Sequence, residues 1–480
     1  MFRLNQAVRY LSVPACVLVV LCVFTTGCPR GPEAAPGGVS ESDFTQVALS
    51  GFDPVDNAQD SNDYAWSMEY YEPDGVAPGA GYVYVGTWNR VQQVKGFQHH
   101  DPVYPEIRRY RPDLGPTTWE RSLDTRDLNL SDTERPQGFR SMKQYRNQSD
   151  GKLYLYAGAR GDTTSLWRSE TGEPGTWECF WSENIQSSVR GMAVHNGLLY
   201  MSLYDDYAMV SGVGKAAASN AIIIATDGHD VWTVMDDGFG NSNNVGIFTV
   251  ASFNGWLYAG THNPLQGCEV WKLEGPDPNA PPVRVIANGG PRWLNEAAMT
   301  LYVFQDHLYV GTQASFIMRM IGGLKPADLL RIDTNDKWEA VAGPNSVGGE
   351  KSGFGENGNA YMWSMCEHEG WLYVGTYDIV PGLTYDLTHP EFMLGMMGLD
   401  VSPVQSKQQT IIDLIMLQRT SGADIYKSQD GVKWYCVMVD GFGRSNNYGV
   451  RTLESANGRL FAGIANPYDG LEVWATNAAK

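Results

Sequence analysis

After residue 24 the chain contains no apolar run long enough to cross a bilayer, which excludes a helical membrane protein. It has no CxxC pair, so a cysteine-based zinc site is not expected. It has no DxDxDG calcium loop either; Asp205-Asp206 and Asp236-Asp237 are isolated acidic pairs. Positive charge is scarce: 35 Lys and Arg stand against 54 Asp and Glu, a formal net charge of −19. Nucleic acid and anionic membrane surfaces are therefore poor partners. Charged residues of either sign make up only 19%, whereas Gly (53), Tyr (25) and Trp (15) are plentiful. That mixture suits a turn-rich all-β protein whose aromatic side chains fill the gaps between sheets.

The first residues read differently. Arg3 and Arg9 form a cationic start and Leu11 to Phe24 an apolar run, the length of a signal-peptide core and too short for a membrane span. Thr25-Thr26-Gly27-Cys28 follows and resembles the lipobox of bacterial lipoproteins, with Thr25 where Leu is usual. The resemblance implies cleavage before Cys28 and lipidation of that residue. Pro29 after the Cys leans towards the outer membrane. Residues 1–27 are thus expected to be a signal peptide and residues 28–43, rich in Pro, Gly, Ala and Glu, a flexible tether. Loss of Arg3 and Arg9 takes the charge from −19 to −21. The cysteines left are Cys179, Cys268, Cys366 and Cys436, expected to be buried free thiols because the strands below scatter them.

Internal repetition is the strongest signal. A strand ending in a Tyr-Val-Gly-Thr-like motif recurs: Gly81-YVYVGT, Lys152-LYLYAGA, Gly197-LLYMSL, Trp256-LYAGT, His307-LYVGT, Trp371-LYVGT and Arg459-LFAGI. Most copies follow a strand and a tight turn such as Asn254-Gly255 or Asn457-Gly458, which is hairpin chemistry. A third strand (Glu269-VWKL, Glu472-VWAT) and a fourth carrying Trp119, Trp177, Trp232, Trp338 or Trp434 complete each unit. Four antiparallel strands per unit predict an all-β, seven-bladed β-propeller over residues 44–480. The last unit stops after its third strand. Phe44-TQVALSGF matches Trp434-YCVMVDGF, so residues 44–52 are expected to supply the missing strand and close the ring. Closure would remove the sheet edges that invite aggregation. The segment Lys427-SQDGVKW also resembles the Asp-box hairpin of sialidase-type propellers, one residue short between Asp and Gly. The repeats as a whole are similar to Asp-box or YVTN-like propellers.

In such a fold the loops joining strand 4 to the next strand 1, and strand 2 to strand 3, share one face. Long insertions gather in the 2–3 loops, at residues 90–104, 207–219, 314–326 and 379–422. At the start of the first strands one equivalent position holds Trp66, Arg140, Arg190, Phe248, Met299, Trp363 and Arg451. Arginine forks bind carboxylate, sulfate or phosphate, and aromatic faces stack on sugars or cations. The expected ligand-binding residues are Arg140, Arg190, Arg451, Trp66 and Trp363, with Asn89, Asp205, Asn263, Gln313, Asp378 and Asn466 from the 2–3 loops. The alternative for the arginines is a scaffold role, bonded to loop carbonyls and stacked on neighbouring rings. The Asn residues of the 4–1 loops read as turn formers.

Catalytic candidates are few: His262 and Tyr377. Four inward histidines, as in carotenoid-cleaving propellers, are absent, and no cofactor or metal is expected. The leading expectation is a monomeric, envelope-anchored, non-catalytic binder of a glycan, an anionic small molecule or an envelope protein. The alternatives are a lyase or hydrolase acting on an anionic polysaccharide, and an envelope assembly factor.

Overall fold

The computed structural model describes residues 37–48, 50–52, 62–89, 104–111, 118–204, 221–277, 279–315, 325–381 and 422–477. Cys28, the signal segment and Asp205 lie outside the described residues, as do most of the insertions. The described residues form one antiparallel all-β sheet of 28 strands, interrupted only by short 3-10 and helical turns. None of their helices is long and apolar enough to cross a membrane.

After β1 (Phe44–Ala48) the strands pair consecutively in fours. The first set is Tyr64–Tyr71, Tyr82–Trp88, Glu106–Tyr110 and Trp119–Asp124 (β2–β5). The second is Gly138–Arg146, Leu153–Gly161, Thr164–Ser169 and Glu178–Glu183 (β6–β9). The third is Ser187–His195, Leu198–Tyr204, Ile222–Thr226 and Val231–Met235 (β10–β13). The fourth is Gly246–Phe253, Trp256–His262, Val270–Leu273 and Val283–Ile286 (β14–β17). The fifth is Asn295–Phe304, His307–Ala314, Leu329–Ile332 and Trp338–Ala342 (β18–β21). The sixth is Asn359–His368, Trp371–Asp378, Ile425–Ser428 and Tyr435–Met438 (β22–β25). Gly449–Ala456, Arg459–Ala465 and Val473–Thr476 (β26–β28) complete their four with β1, which pairs Phe44 with Thr476 and Ala48 with Val473.

The repeated motif explains how neighbouring sets pack. Its aromatic residue (Tyr84, Tyr156, Tyr200, Tyr258, Tyr309, Tyr373 or Phe461) is buried at every copy. Buried phenols keep their hydroxyls bonded, as where Tyr258 donates to Asp336. The motif glycine leaves room for the next set: a Cβ on Gly375 would stand 2.5 Å from Val450 Cγ1 and 2.6 Å from Ser364 Oγ. Hydroxyls stitch the same seam. Ser67, Ser141 and Ser364 each donate to a carbonyl of the following set, at Phe139, Val189 and Val450, over 2.8 Å. Thr452 reaches Ala65 in the first set at 3.5 Å. Short bridges repeat the pattern at strand ends: Trp88–Gly138, His262–Ala297, Gln313–Tyr361, Tyr377–Gly449 and Ala465–Tyr64.

Two expectations need correction. Residues 37–43, read as part of the tether, pack against the sixth set, with Val39 buried. Among the described residues all four cysteines are free, but Cys179 on β9 is exposed and Cys436 partly so. An outer strand has no neighbouring set on its far side to cover it.

Candidate functional site

Every first strand carries the same irregularity. Its pairing with the second strand skips one residue: Trp66, Arg140, Arg190, Phe248, Met299, Trp363 and Arg451. These are the positions read from sequence as equivalent. Each is a β-bulge lying opposite the motif's Gly-or-Ser position, and a bulge re-aims the extra side chain. Their side chains meet in three groups. Arg140 lies over the Trp66 ring at 4.8 Å and the Tyr204 ring at 5.5 Å, and donates to Ser188 Oγ at 2.8 Å. Arg190 lies over Phe248 at 4.0 Å and donates to Met299 Sδ. Arg451 lies over Trp363 at 5.3 Å. Arg140 and Arg190 are buried and Arg451 half-buried.

A second tier sits two residues beyond the motif's Gly-or-Ser position, at Trp88, Arg160, Tyr204, His262, Gln313 and Tyr377. Trp88 stacks on Trp66 with centroids 4.4 Å apart, and Arg160 lies over Trp88 at 5.9 Å. Tyr204 meets Phe248 at 4.3 Å. Tyr377 stacks on Tyr361 at 4.4 Å and meets Trp363 edge-on at 5.1 Å. The Tyr64 and Tyr448 hydroxyls share a short hydrogen bond. Gln313 donates to buried Glu296 at 2.6 Å. Sequence reasoning passed over Trp88, Arg160 and Tyr204 as site residues, although their spacing from the motif was the available signal; Tyr64 and Tyr448 share no such spacing.

One residue further on, strand alternation turns the side chain away. Asn263 and Asn466 are fully buried. They donate to Asn244 and Asn447 and accept backbone N–H groups of their own loops. Asp378 accepts from Val380 N at 2.8 Å and Gly422 N at 3.2 Å, closing the stem of the long insertion. Burial and the nearby acids raise its pKa to about 6. Asn89 occupies the same register and is buried. Asn263, Asn466 and Asp378 thus spend their polar atoms on their loops.

The 4–1 loop asparagines are likewise more than turn formers. Asn244, Asn359 and Asn447 are buried, and each donates both to its loop's glycine carbonyl and to a carboxylate heading the third strand. Those carboxylates are Glu269, Asp424 and Glu472. The Gly-Phe-Gly before each asparagine runs left-handed, with Phe239, Phe354 and Phe442 at φ 61, 57 and 62°. Phe239 and Phe442 stack on Trp271 and Trp474 at 4.8 and 4.3 Å. That packing offsets the steric cost of a left-handed Phe.

Of the two catalytic candidates, His262 is placed unfavourably for proton transfer with a substrate, while Tyr377 is as buried as Arg140 and Arg190. His262 is fully buried, with Phe248 at 4.8 Å and Tyr204 at 5.7 Å, and Tyr377 is packed among Tyr361, Trp363 and Tyr448. A general base must reach its proton. Among the described residues no group of His, Cys, Asp and Glu is arranged to hold a metal ion.

Deeper along the first strands, opposite the motif aromatic, stand Glu69, Lys143, Tyr302, Cys366 and Glu454. Lys143 bridges both Glu69 oxygens at 2.9 and 3.2 Å, and Tyr70 N donates to Glu454 at 3.0 Å. Burial first, then the neighbouring Glu69 charge, raise the Glu454 pKa to about 8.

No protein-family model matches the sequence, and no curated protein matches it. Among solved structures the chain is similar to one from "Structural and Mechanistic Analysis of Two Prolyl Endopeptidases: Role of Inter-Domain Dynamics in Catalysis and Specificity". The TM-score is 0.41 and the identity 9%, covering 87% of this chain and 51% of that one, so the chain spans about half that structure's length.

Proposed function

We propose that the chain is a seven-bladed β-propeller, closed by β1 beside β28, exported and anchored to the cell envelope through lipid on Cys28. We further propose that it is a non-catalytic receptor whose mouth binds an anionic glycan, a uronate- or sulfate-bearing polymer. The observation that carries the binding reading is the shared bulge position, where Arg140, Arg190 and Arg451 lie against Trp66, Phe248 and Trp363. Stacking engages the guanidinium face, and it is the N–H edge that reads a carboxylate or sulfate. A cationic mouth in a chain of charge −19 focuses anions where the rest of the surface repels them. The lyase or hydrolase reading is weaker, because His262 is fully buried against Phe248 and Tyr204. Strand-end bridges at six of the seven junctions between sets, including Ala465–Tyr64, support ring closure.

Calorimetric titration of the chain from residue 29 onward with sulfated and uronate oligosaccharides tests this reading. Arg140→Met, Arg190→Met or Arg451→Met should each weaken binding about tenfold, roughly 1.4 kcal/mol. Arg140→Lys should not restore it, because an ammonium has neither the plane nor the fork. Unsaturated or new reducing ends in the same mixtures would overturn the non-catalytic reading. Binding unchanged in all three variants would overturn the site.

A further inference from the structure

The polypeptide enters β1 from the end of the sheet opposite to the mouth. Phe44 pairs with Thr476, and Ala48 with Val473. Val473 in turn pairs with Gly463, level with the Arg451 bulge, whereas Ala475 pairs with Phe461 near the β26–β27 turn. β1 therefore runs from the hairpin-turn end towards the mouth. Residues 37–43 are strapped to that same turn end. Val39 N donates to the Tyr373 hydroxyl at 3.0 Å, and Lys427 Nζ donates to the Gly37 and Val39 carbonyls at 2.7 Å each. The Lys427 ammonium also lies 5.1 Å from the centre of the Trp371 ring, the first residue after the β22–β23 turn. Lys427 is only 2% exposed, so the strap covers it.

We infer that this strap orients the molecule on the membrane, with the turn end facing the bilayer and the arginine-lined mouth facing away from it. The glycan then arrives from the aqueous side, and the mouth is not turned to a lipid or a bilayer-embedded domain. This rests on the lipidation of Cys28 proposed above. Nine residues lead from Cys28 to Gly37, a reach of at most about 30 Å. A first strand of eight to ten residues separates turn end from mouth by about 27–34 Å. Turning the mouth to the bilayer would draw the whole tether straight along the side of the sheet, whereas the turn-down orientation leaves it slack.

The test uses the full-length lipidated protein in phosphatidylglycerol-containing vesicles, with Cys179 and Cys436 replaced by serine. A single cysteine is introduced either at the mouth (Leu265→Cys, a loop residue 56% exposed) or at the turn end (Asp306→Cys). Each is labelled with a bulky maleimide–polyethylene glycol in vesicles and in detergent. The mouth position should react at the same rate in both, and the turn-end position at least fivefold slower in vesicles. Equal or reversed slowing overturns the orientation. Protein that fails to float with the vesicles instead overturns the lipidation reading. Lys427→Met frees the strap and should shrink the fivefold difference; an unchanged difference would show that the strap is not its cause.

Discussion

Among single residues, Glu454 carries the clearest consequence. It faces Glu69 and Lys143, with Tyr302 and Cys366 in the same register, so its ionisation places two carboxylates against one ammonium. Its folded pKa of about 8 lies above the ordinary 4.5. The folded state therefore holds a proton that the unfolded state has released. The stability this confers is complete below about pH 4.5 and is lost as the pH rises towards 8. Glu454→Gln stays neutral and should flatten that decline. It should match the parent at pH 5 and exceed it by roughly 1–3 kcal/mol at pH 8.5, a discounted part of ~1.4 kcal/mol per pH unit. Urea midpoints at the two pH values measure this, and a Gln variant that declines like the parent would refute it.

At the level of elements, Asn244, Asn295, Asn359 and Asn447 each join a glycine carbonyl of their loop to a buried carboxylate. Asn447→Ala would leave Glu472 and Asn466 without that partner. It should cost about 1–3 kcal/mol, since buried Asn466 loses an acceptor and Glu472 one of three donors, Arg444 and Trp474 remaining. The neighbouring Asn446→Ala removes one exposed bond to Asp469 and should cost under about 0.5 kcal/mol. Thermal melts of the two variants side by side check the contrast. In the strands, Gly375→Ala would press a methyl against Val450 and Ser364 and should cost about 1–3 kcal/mol through overpacking. Sequence patterning located these strands and their turns because period-two alternation and Asn-Gly turns are local signals. It did not reveal that Asn263 and Asn466 serve the loops, because one step along a strand reverses the facing of a side chain.

For the whole molecule, the decisive contact joins the first strand to the last. Val47 and Ala48 are buried with Phe461, Val473 and Ala475 in one apolar cluster, and Trp119 donates to the Val47 carbonyl at 2.8 Å. A truncation starting at residue 37 retains β1 and should melt like the longer chain. A truncation starting at residue 49 exposes the edge of β28 and the apolar residues beneath. It should lose soluble yield and at least 10 °C in melting temperature. Equal melting of the two truncations would show that β1 is dispensable.

The all-β class, the strand repeat and the pairing partner of residues 44–48 were all determined by sequence, since each depends on recurring local pattern and on matching one incomplete unit to another. The order of the bulged positions was legible for the same reason. Tertiary structure alone decided what those positions became. Whether an arginine lies against a tryptophan, and whether His262 can meet a substrate, depends on side chains from strands far apart in the chain. Their packing is set by how neighbouring sheets stack, which no local period encodes.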